Sequence, residues 1–354
     1  MIKFIGKSLA VFLLTMTFTV ANAQYTFIVP QQPGGGTSIW AEIVANEMQK
    51  YLDEPIVIRH IPGARDIAGF NRFHNELQFD DKTVMVSHGG NGVSFLQERV
   101  DYNYGDYTAI GLQNLNIIAG NRTGDNMRNP RFAAGSGMVP EAFAMTLLNC
   151  GPRDTVEEYI ACFQSKTTWV SGMSGGERRL AFRRGELNGT RENPAAFRQH
   201  VAPLIDSGDA EVWFHHGLLQ LDGSHADDPN YPGKQLEILY EERWGEQPSG
   251  EFYNAYKLVK SFRDGLQKAL WVSADNPNAE VLQEALFKVA TTPESIEVIE
   301  KQVGNYEWMI GEDAENLVNV LESFITRESL TTLVKFNQEA LGLRSVFKEN
   351  LIDD

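Results

Sequence analysis

Cysteine is almost missing from this chain of 354 residues, which has only Cys150 and Cys162. Neither has a partner for metal binding, and the two lack the two-residue spacing of a redox dithiol motif, so no metal site and no reactive thiol pair is expected. Positive charge is short as well. The 31 Lys and Arg face 47 Asp and Glu, a formal net charge of -16, which argues against a phosphate backbone as the main partner, and no nucleic acid is expected. The chain has no fixed-period repeat, and beyond its first two dozen residues no apolar run of spanning length. The remainder, 42% hydrophobic and 22% charged, is the composition of a globular chain, and the length predicts two domains.

The first 23 residues read as an export signal rather than as structure. Lys3 and Lys7 form a basic start, residues 9–20 an apolar stretch, and Ala21-Asn22-Ala23 the small-x-small pattern of a cleavage site. Cleavage is expected after Ala23, with release into the periplasm. No cysteine stands at the cleavage point to take a lipid anchor. In an oxidising compartment Cys150 and Cys162 are expected to pair, joining a helix over 140–149 to one over 155–164 and closing a loop worth about 3 kcal/mol.

The rest alternates strands with helices. Residues 25–29 form an apolar, β-prone run. After Pro30 comes Pro33-Gly34-Gly35-Gly36-Thr37-Ser38, opening into an amphipathic helix with Trp40, Ile43, Val44 and Met48 on one face. A strand over 56–58, a Pro62-Gly63-Ala64 turn and a helix over 66–77 repeat the plan. So do a strand over 83–86, the loop Ser87-His88-Gly89-Gly90-Asn91-Gly92 and a short helix over 93–98. Later strands are read at 131–134, 167–170, 211–214 and 270–273. Residues 221–250 read as one irregular connection returning to the first domain. Helices are read at 252–266, 277–290, 293–303 and 314–341. The class is α/β, with a parallel sheet covered on both faces.

A strand that ends in glycines and feeds a helix aims unpaired amides, worth about half a positive charge, at whatever lies beyond. Carboxylate or phosphate fits there. Gly34, Gly35 and Gly36 allow close approach, and Thr37 or Ser38 can add a hydroxyl and cap the helix. In an open parallel sheet such loops share one edge, where ligands bind. Arg59, Arg65 and Arg72, against Asp66 alone, make residues 56–74 locally basic, although Arg72 reads best as a solvated helix face.

Taken in order, Val29-Pro30, Pro33-Gly34-Gly35-Gly36-Thr37-Ser38, Pro55-Ile56-Val57-Ile58, Pro62-Gly63-Ala64, Gly69 and Asp81-Lys82-Thr83-Val84-Met85 resemble the signature of the tripartite tricarboxylate transporter substrate-binding receptors, the Bug family. Residues 107–112, Gly135-Ser136 and 184–189 continue the likeness over most of the chain. It implies a periplasmic-binding-protein-like fold of two lobes with a ligand cleft between them: residues 24–118 and 250–354 in the first lobe, 119–249 in the second. It also implies a monomeric receptor for a small carboxylate that serves a membrane transporter, with no cofactor and no catalytic group. By position, Gly34 to Ser38 and Gly63, Ala64, Arg65 and Asp66 grip a carboxylate, Ser87 to Asn91 form a third wall, and Gly135, Ser136, Ser174 and Gly175 face them. Ser38 stands where the family commonly has Asp, and Arg65 with Asp66 where it has glycines. That change either favours a more anionic ligand or pairs the two residues with each other.

Gly172-Met173-Ser174-Gly175-Gly176 also fits the nucleophile elbow of a secreted α/β-hydrolase, with His88-Gly89-Gly90 as an oxyanion loop. The triad histidine would then be His200, His215, His216 or His225, with no histidine among the last 129 residues. Ser174 with Glu177 also reads as a capping box, which is the preferred reading. His215 and His216 read as surface or cleft lining, Trp213 and Phe214 as core. A sensor protein instead of a transporter is a further possible partner.

Overall fold

The computed structural model describes residues 24–63, 67–89, 94, 97, 100–134 and 140–343. Strand β1 (Tyr25–Val29) is buried along most of its length and runs into the glycine loop. Helix α1 (Gly36–Met48) follows, with Trp40, Val44 and Met48 one turn apart and fully buried. The Trp40 indole donates to Gln113 Oε1 at 2.9 Å, which satisfies its one polar atom inside the core. Strand β2 (Ile56–His60) and helix α2 (Ile67–Asn75) form the second unit, and strand β3 (Thr83–Val86) opens the third, whose short helix expected over 93–98 falls, apart from residues 94 and 97, outside the described residues. Phe70 and Phe73 of α2 are buried, Phe70 stacking on Tyr102 with ring centroids 4.0 Å apart. Strand β4 (Tyr107–Gln113) then leads to the second lobe.

That lobe begins with β5 (Ile118–Arg122) and β6 (Arg131–Ala134), then α3 (Pro140–Cys150), α4 (Val156–Lys166), β7 (Thr168–Ser171), α5 (Gly175–Arg183) and β8 (Gly189–Glu192). It continues through α6 (Pro194–His200), α7 (Ala202–Asp206) and β9 (Ala210–His215). Strand β5 pairs antiparallel with both β8 and β9, and β6 pairs in parallel with β7. Helix α3 is buried on every side, so it carries no polar stripe. Cys150 and Cys162 form the expected disulfide, with Cα atoms 6.2 Å apart, and tie α3 to α4.

The segment read as irregular is more ordered than its Asp, Pro and Gly content suggests. Strands β10 (Leu218–Leu219) and β11 (His225–Ala226) form a short antiparallel pair, and helix α8 (Leu236–Trp244) follows, anchored by buried Leu236 and Tyr240. Helix α9 (Gly250–Gly265) carries the chain back to β12 (Ala269–Ser273). Helices α10 (Ala279–Thr291) and α11 (Pro293–Gln302), strand β13 (Trp308–Ile310), and helices α12 (Glu312–Glu322) and α13 (Arg327–Glu339) end the described chain. The single helix expected over 314–341 is thus two, because Thr326 and Ser329 form a capping box that starts a new helix. Phe336 of α13 packs on Phe143 of α3 and Phe252 of α9, with centroids 4.4 and 5.1 Å away.

The main sheet has the order β13-β4-β12-β3-β1-β2. It is mixed, not parallel as expected: β2, β1 and β3 are parallel, while β12 is antiparallel to both β3 and β4, and β13 is antiparallel to β4. The cause is the path of the chain. Strand β4 leaves for the second lobe from the carboxyl edge, and β12 re-enters from that lobe, so it must run the other way. No described helix is long and apolar enough to cross a membrane.

Candidate cleft between the lobes

A cleft of about 570 Å³ opens at the carboxyl ends of β1, β2 and β3. One wall consists of residues 31–36, Pro62, Gly63, His88 and Gly89; the other consists of residues 172–176, Arg178, Arg179, Arg191, Glu192 and Asn193. Ile117, Arg263 and Gln267, from segments that cross between the lobes, complete the lining. Two helix N-termini therefore enter one cavity, α1 from the first lobe and α5 from the second. The first N–H groups of each helix have no intrahelical partner.

Of the residues singled out in the sequence, Gly34, Gly35, Gly36, Gly63, Ser174 and Gly175 lie together on the cleft. Gly34 sits at φ +74° and Gly63 at φ +133°, backbone conformations that a side chain would strain. Thr37, Ser38 and Ser87 are fully buried and off the lining. The Thr37 hydroxyl accepts from Lys268 at 3.1 Å, Ser38 donates to Glu42 one turn on at 2.7 Å, and Ser87 donates to the Leu266 carbonyl at 2.6 Å. Neither Thr37 nor Ser38 caps α1. The side chain of Gln31 does so, its Oε1 accepting from the Thr37 amide at 3.0 Å while its Nε2 lies 2.6 Å from His88 Nε2. Ala64, Arg65, Asp66, Asn91, Gly135 and Ser136 lie outside the described residues. Arg72 is an exposed residue paired with Glu76 at 3.1 Å.

The second wall carries a buried ionic network that the sequence reading did not isolate. Glu192 accepts from Arg179 Nε at 2.9 Å and Nη2 at 3.1 Å, a bidentate pair, and from Arg178 Nη2 at 3.0 Å. Arg179 also donates across the cleft to the Gly34 carbonyl at 3.3 Å, linking the lobes. Arg191 Nε lies 3.2 Å from Glu141 Oε1, but neither atom has an aligned hydrogen bond, so charge rather than directed bonding holds this contact. Burial works to raise the Glu192 carboxyl, yet Arg178 and Arg179 outweigh it and hold it below the usual range. Asp264 behaves oppositely: burial, with Glu141 beside it, raises its pKa to about 8. The signal for this network was present in Glu177-Arg178-Arg179, one turn into a helix that starts at a cleft loop.

Ser174 is the N-cap of α5. Its hydroxyl accepts from the Glu177 amide at 3.3 Å, its own amide donates to the Glu177 carboxylate at 2.8 Å, and its φ of -64° is unstrained. A nucleophile elbow places its serine on a strained turn beside a histidine. Here the hydroxyl serves the helix. His215 and His216, expected at the surface or the cleft, are fully buried and off the cleft lining. His215 pairs with Asp227 at 3.0 Å, and His216 Nδ1 lies 2.7 Å from the Tyr256 hydroxyl, partners remote in sequence that make burial affordable. Among the described residues no group of His, Cys, Asp and Glu is arranged to hold a metal ion.

No family model matches the chain, and no curated protein matches it in sequence. Solved structures match its fold. MatC (Rpa3494) from Rhodopseudomonas palustris, with bound malate, is 16% identical over 87% of this chain and 98% of its own, with a TM-score of 0.57. Rpa4515 of R. palustris, with adipate, is 12% identical over 88% of this chain and 97% of its own, at 0.59. The periplasmic binding protein BugD is 14% identical over 89% and 97%, at 0.57. The fold is that of a periplasmic solute-binding protein. A solute-binding fold accounts for the two lobes, and its cleft lies where open α/β sheets hold ligands, outside the carboxyl ends of parallel strands.

Proposed function

We propose that this protein is an exported solute receptor that captures a small organic acid between its lobes and hands it to a membrane transporter of the tripartite tricarboxylate type. The observation that carries this reading is the entry of two helix N-termini, from opposite lobes, into one cleft that also holds arginines. Glycines at both termini bring ligand oxygens close to backbone amides. The crossings after β4 and before β12 act as the hinge, and contacts made by both lobes favour the closed state by their differential affinity. The malate and adipate in MatC and Rpa4515 support a carboxylate as the ligand. The receptor works as a periplasmic monomer, without cofactor or catalytic step.

The test is a thermal-shift panel of mono-, di- and tricarboxylates, carboxylate esters and amino acids on the protein lacking residues 1–23. A ligand at a hundred times its dissociation constant stabilises the fold by about 2.7 kcal/mol. A panel in which carboxylates shift nothing, while an ester is turned over, would select the hydrolase.

A further inference from the structure

Lobes joined by a hinge rotate only as far as the other contacts between them permit. One such set of contacts lies away from the cleft, in the stretch between β11 and α8. There Asp228-Pro229-Asn230 folds into a turn closed by the Asn230 amide, which donates to Asp228 Oδ1 at 2.8 Å. The next residue, Tyr231, packs with Phe197 of α6 against Ile118 and Val212 of the second-lobe sheet, so the turn moves with that lobe. Residues 303–306 face it. Val303 and Tyr306 share a buried core with Phe27 and Trp40, so they move with the first lobe. Asp228 is fully buried and accepts four hydrogen bonds: two from Asn230, one from the Tyr306 hydroxyl at 2.8 Å, and one from Nδ2 of Asn116, on the crossing after β4, at 2.9 Å. Asn230 adds a reciprocal pair, its Nδ2 donating to the Asn305 carbonyl at 3.2 Å and its Oδ1 accepting from the Asn305 amide at 3.3 Å. The same Oδ1 accepts from Arg198 Nη2 of α6 at 3.2 Å, and Arg198 Nε donates to the Val303 carbonyl at 3.0 Å. Helix α6 begins at Asn193, which stands on the second wall of the cleft. A buried carboxylate that loses its donors is costly, so one arrangement of turn, hinge and first lobe is favoured, the one in which Arg179 reaches Gly34.

We propose that Asp228 and Asn230 are positioning residues for closure: they tie the second-lobe wall to residues 303–306 of the first lobe, hold the lobes together independently of what lies between them, and thereby raise affinity for whatever the cleft binds. The consequence for affinity rests on the receptor reading above. Neither residue lines the cleft. They act through the fraction of molecules whose walls already face each other, and that fraction scales every intrinsic affinity alike.

The test compares two variants with the native protein. Asn230→Ala removes the pair with Asn305 and the Arg198 bond while keeping the backbone turn, and Tyr306→Phe removes one bond to Asp228 while keeping the ring. Small-angle X-ray scattering of the proteins without ligand should give a larger radius of gyration for both variants, most of all for Asn230→Ala. Calorimetric titration with succinate and with propane-1,2,3-tricarboxylate should show both dissociation constants raised by the same factor, about five- to tenfold for Asn230→Ala, so that their ratio stays native. Thr155→Ala, which takes the N-cap from α4 inside the second lobe, is the control for stability alone: it lowers the melting temperature and leaves radius and affinities native. Where Asn230→Ala is too unstable to measure, Tyr306→Phe decides. A native radius in the variants, or an affinity loss confined to one acid, would overturn the inference and leave the receptor reading standing. Failure of every acid to bind the native protein would overturn the receptor reading alone, because scattering decides whether these residues tie the lobes.

Discussion

Across the cleft Gly36 lies against Asn193, with no room between them for a side chain. A Cβ built on Gly36 runs into Asn193 Nδ2, with the Asn193 Cγ at 3.2 Å and the Ala196 Cβ at 3.6 Å. Asn193 is held in place because its Oδ1 accepts from the Ala196 amide at 3.2 Å as the N-cap of α6. Gly36→Ala therefore has two outcomes available: Asn193 swings away and gives up its cap, or the lobes stay slightly apart. Losing an Asn cap costs about 1 kcal/mol, which limits the penalty on closure to a similar size. The expected result is a dissociation constant for the best ligand raised about five- to tenfold. Adding Asn193→Gly removes the clash, and because glycine is itself a fair N-cap, that change alone costs only a few tenths of a kcal/mol. Titration of both variants beside the native protein is the assay. Rescue of affinity in the double variant shows that closure brings Gly36 against Asn193. Native affinity in Gly36→Ala alone would refute the reasoning.

Reducing the Cys150–Cys162 disulfide, or replacing both cysteines by serine, should lower stability by about 3 kcal/mol, read as a fall in melting temperature. Burial first, and Lys260 second, hold the imidazoles of His216 and His225 well below 6.5, so the unfolded chain binds more protons below that pH and stability falls as acid is added. Asp264, raised to about 8, has the opposite sign, because the folded state holds a proton that the unfolded chain loses from about pH 4 upward. Melting temperatures measured from pH 5 to 8.5 should therefore rise to a maximum near 6.5, where the gain from the two half-titrated histidines of the unfolded chain is offset by the loss at Asp264, and then fall towards pH 8; a flat profile would contradict this. Ser174→Ala should cost about 1 kcal/mol of stability through the lost cap. It should leave the rate of ester hydrolysis at the native protein's background, and a drop in that rate would revive the catalytic reading.

The elements that the sequence announced are those with local causes. The β1–glycine loop–α1 unit follows from a β-prone run, three glycines and a 3.6-residue stripe, and α11 begins at the proline that suits a first helical turn. What escaped had distant causes. Helix α8 buries only Leu236 and Tyr240, too thin a stripe to stand out within a stretch rich in Asp, Pro and Gly. The break between α12 and α13 is masked by Phe324 and Ile325, which prolong the apolar pattern, although Thr326 and Ser329 spell out the new start. The direction of β12 depends on where the chain re-enters the sheet. In the cleft, glycines were legible because a turn or a close approach requires them. Arg191 and Glu192 were not, because their significance comes from Arg178 and Arg179 on another element and from Glu141 some fifty residues earlier.

The most direct measurement is a crystal structure of the protein grown with a saturating dicarboxylate. The account predicts ligand density between the Gly34–Gly36 loop and the start of α5, with one end within hydrogen-bonding distance of Arg178 or Arg191. Density elsewhere on the molecule, or a cleft closed on its own side chains at saturating ligand, would contradict it.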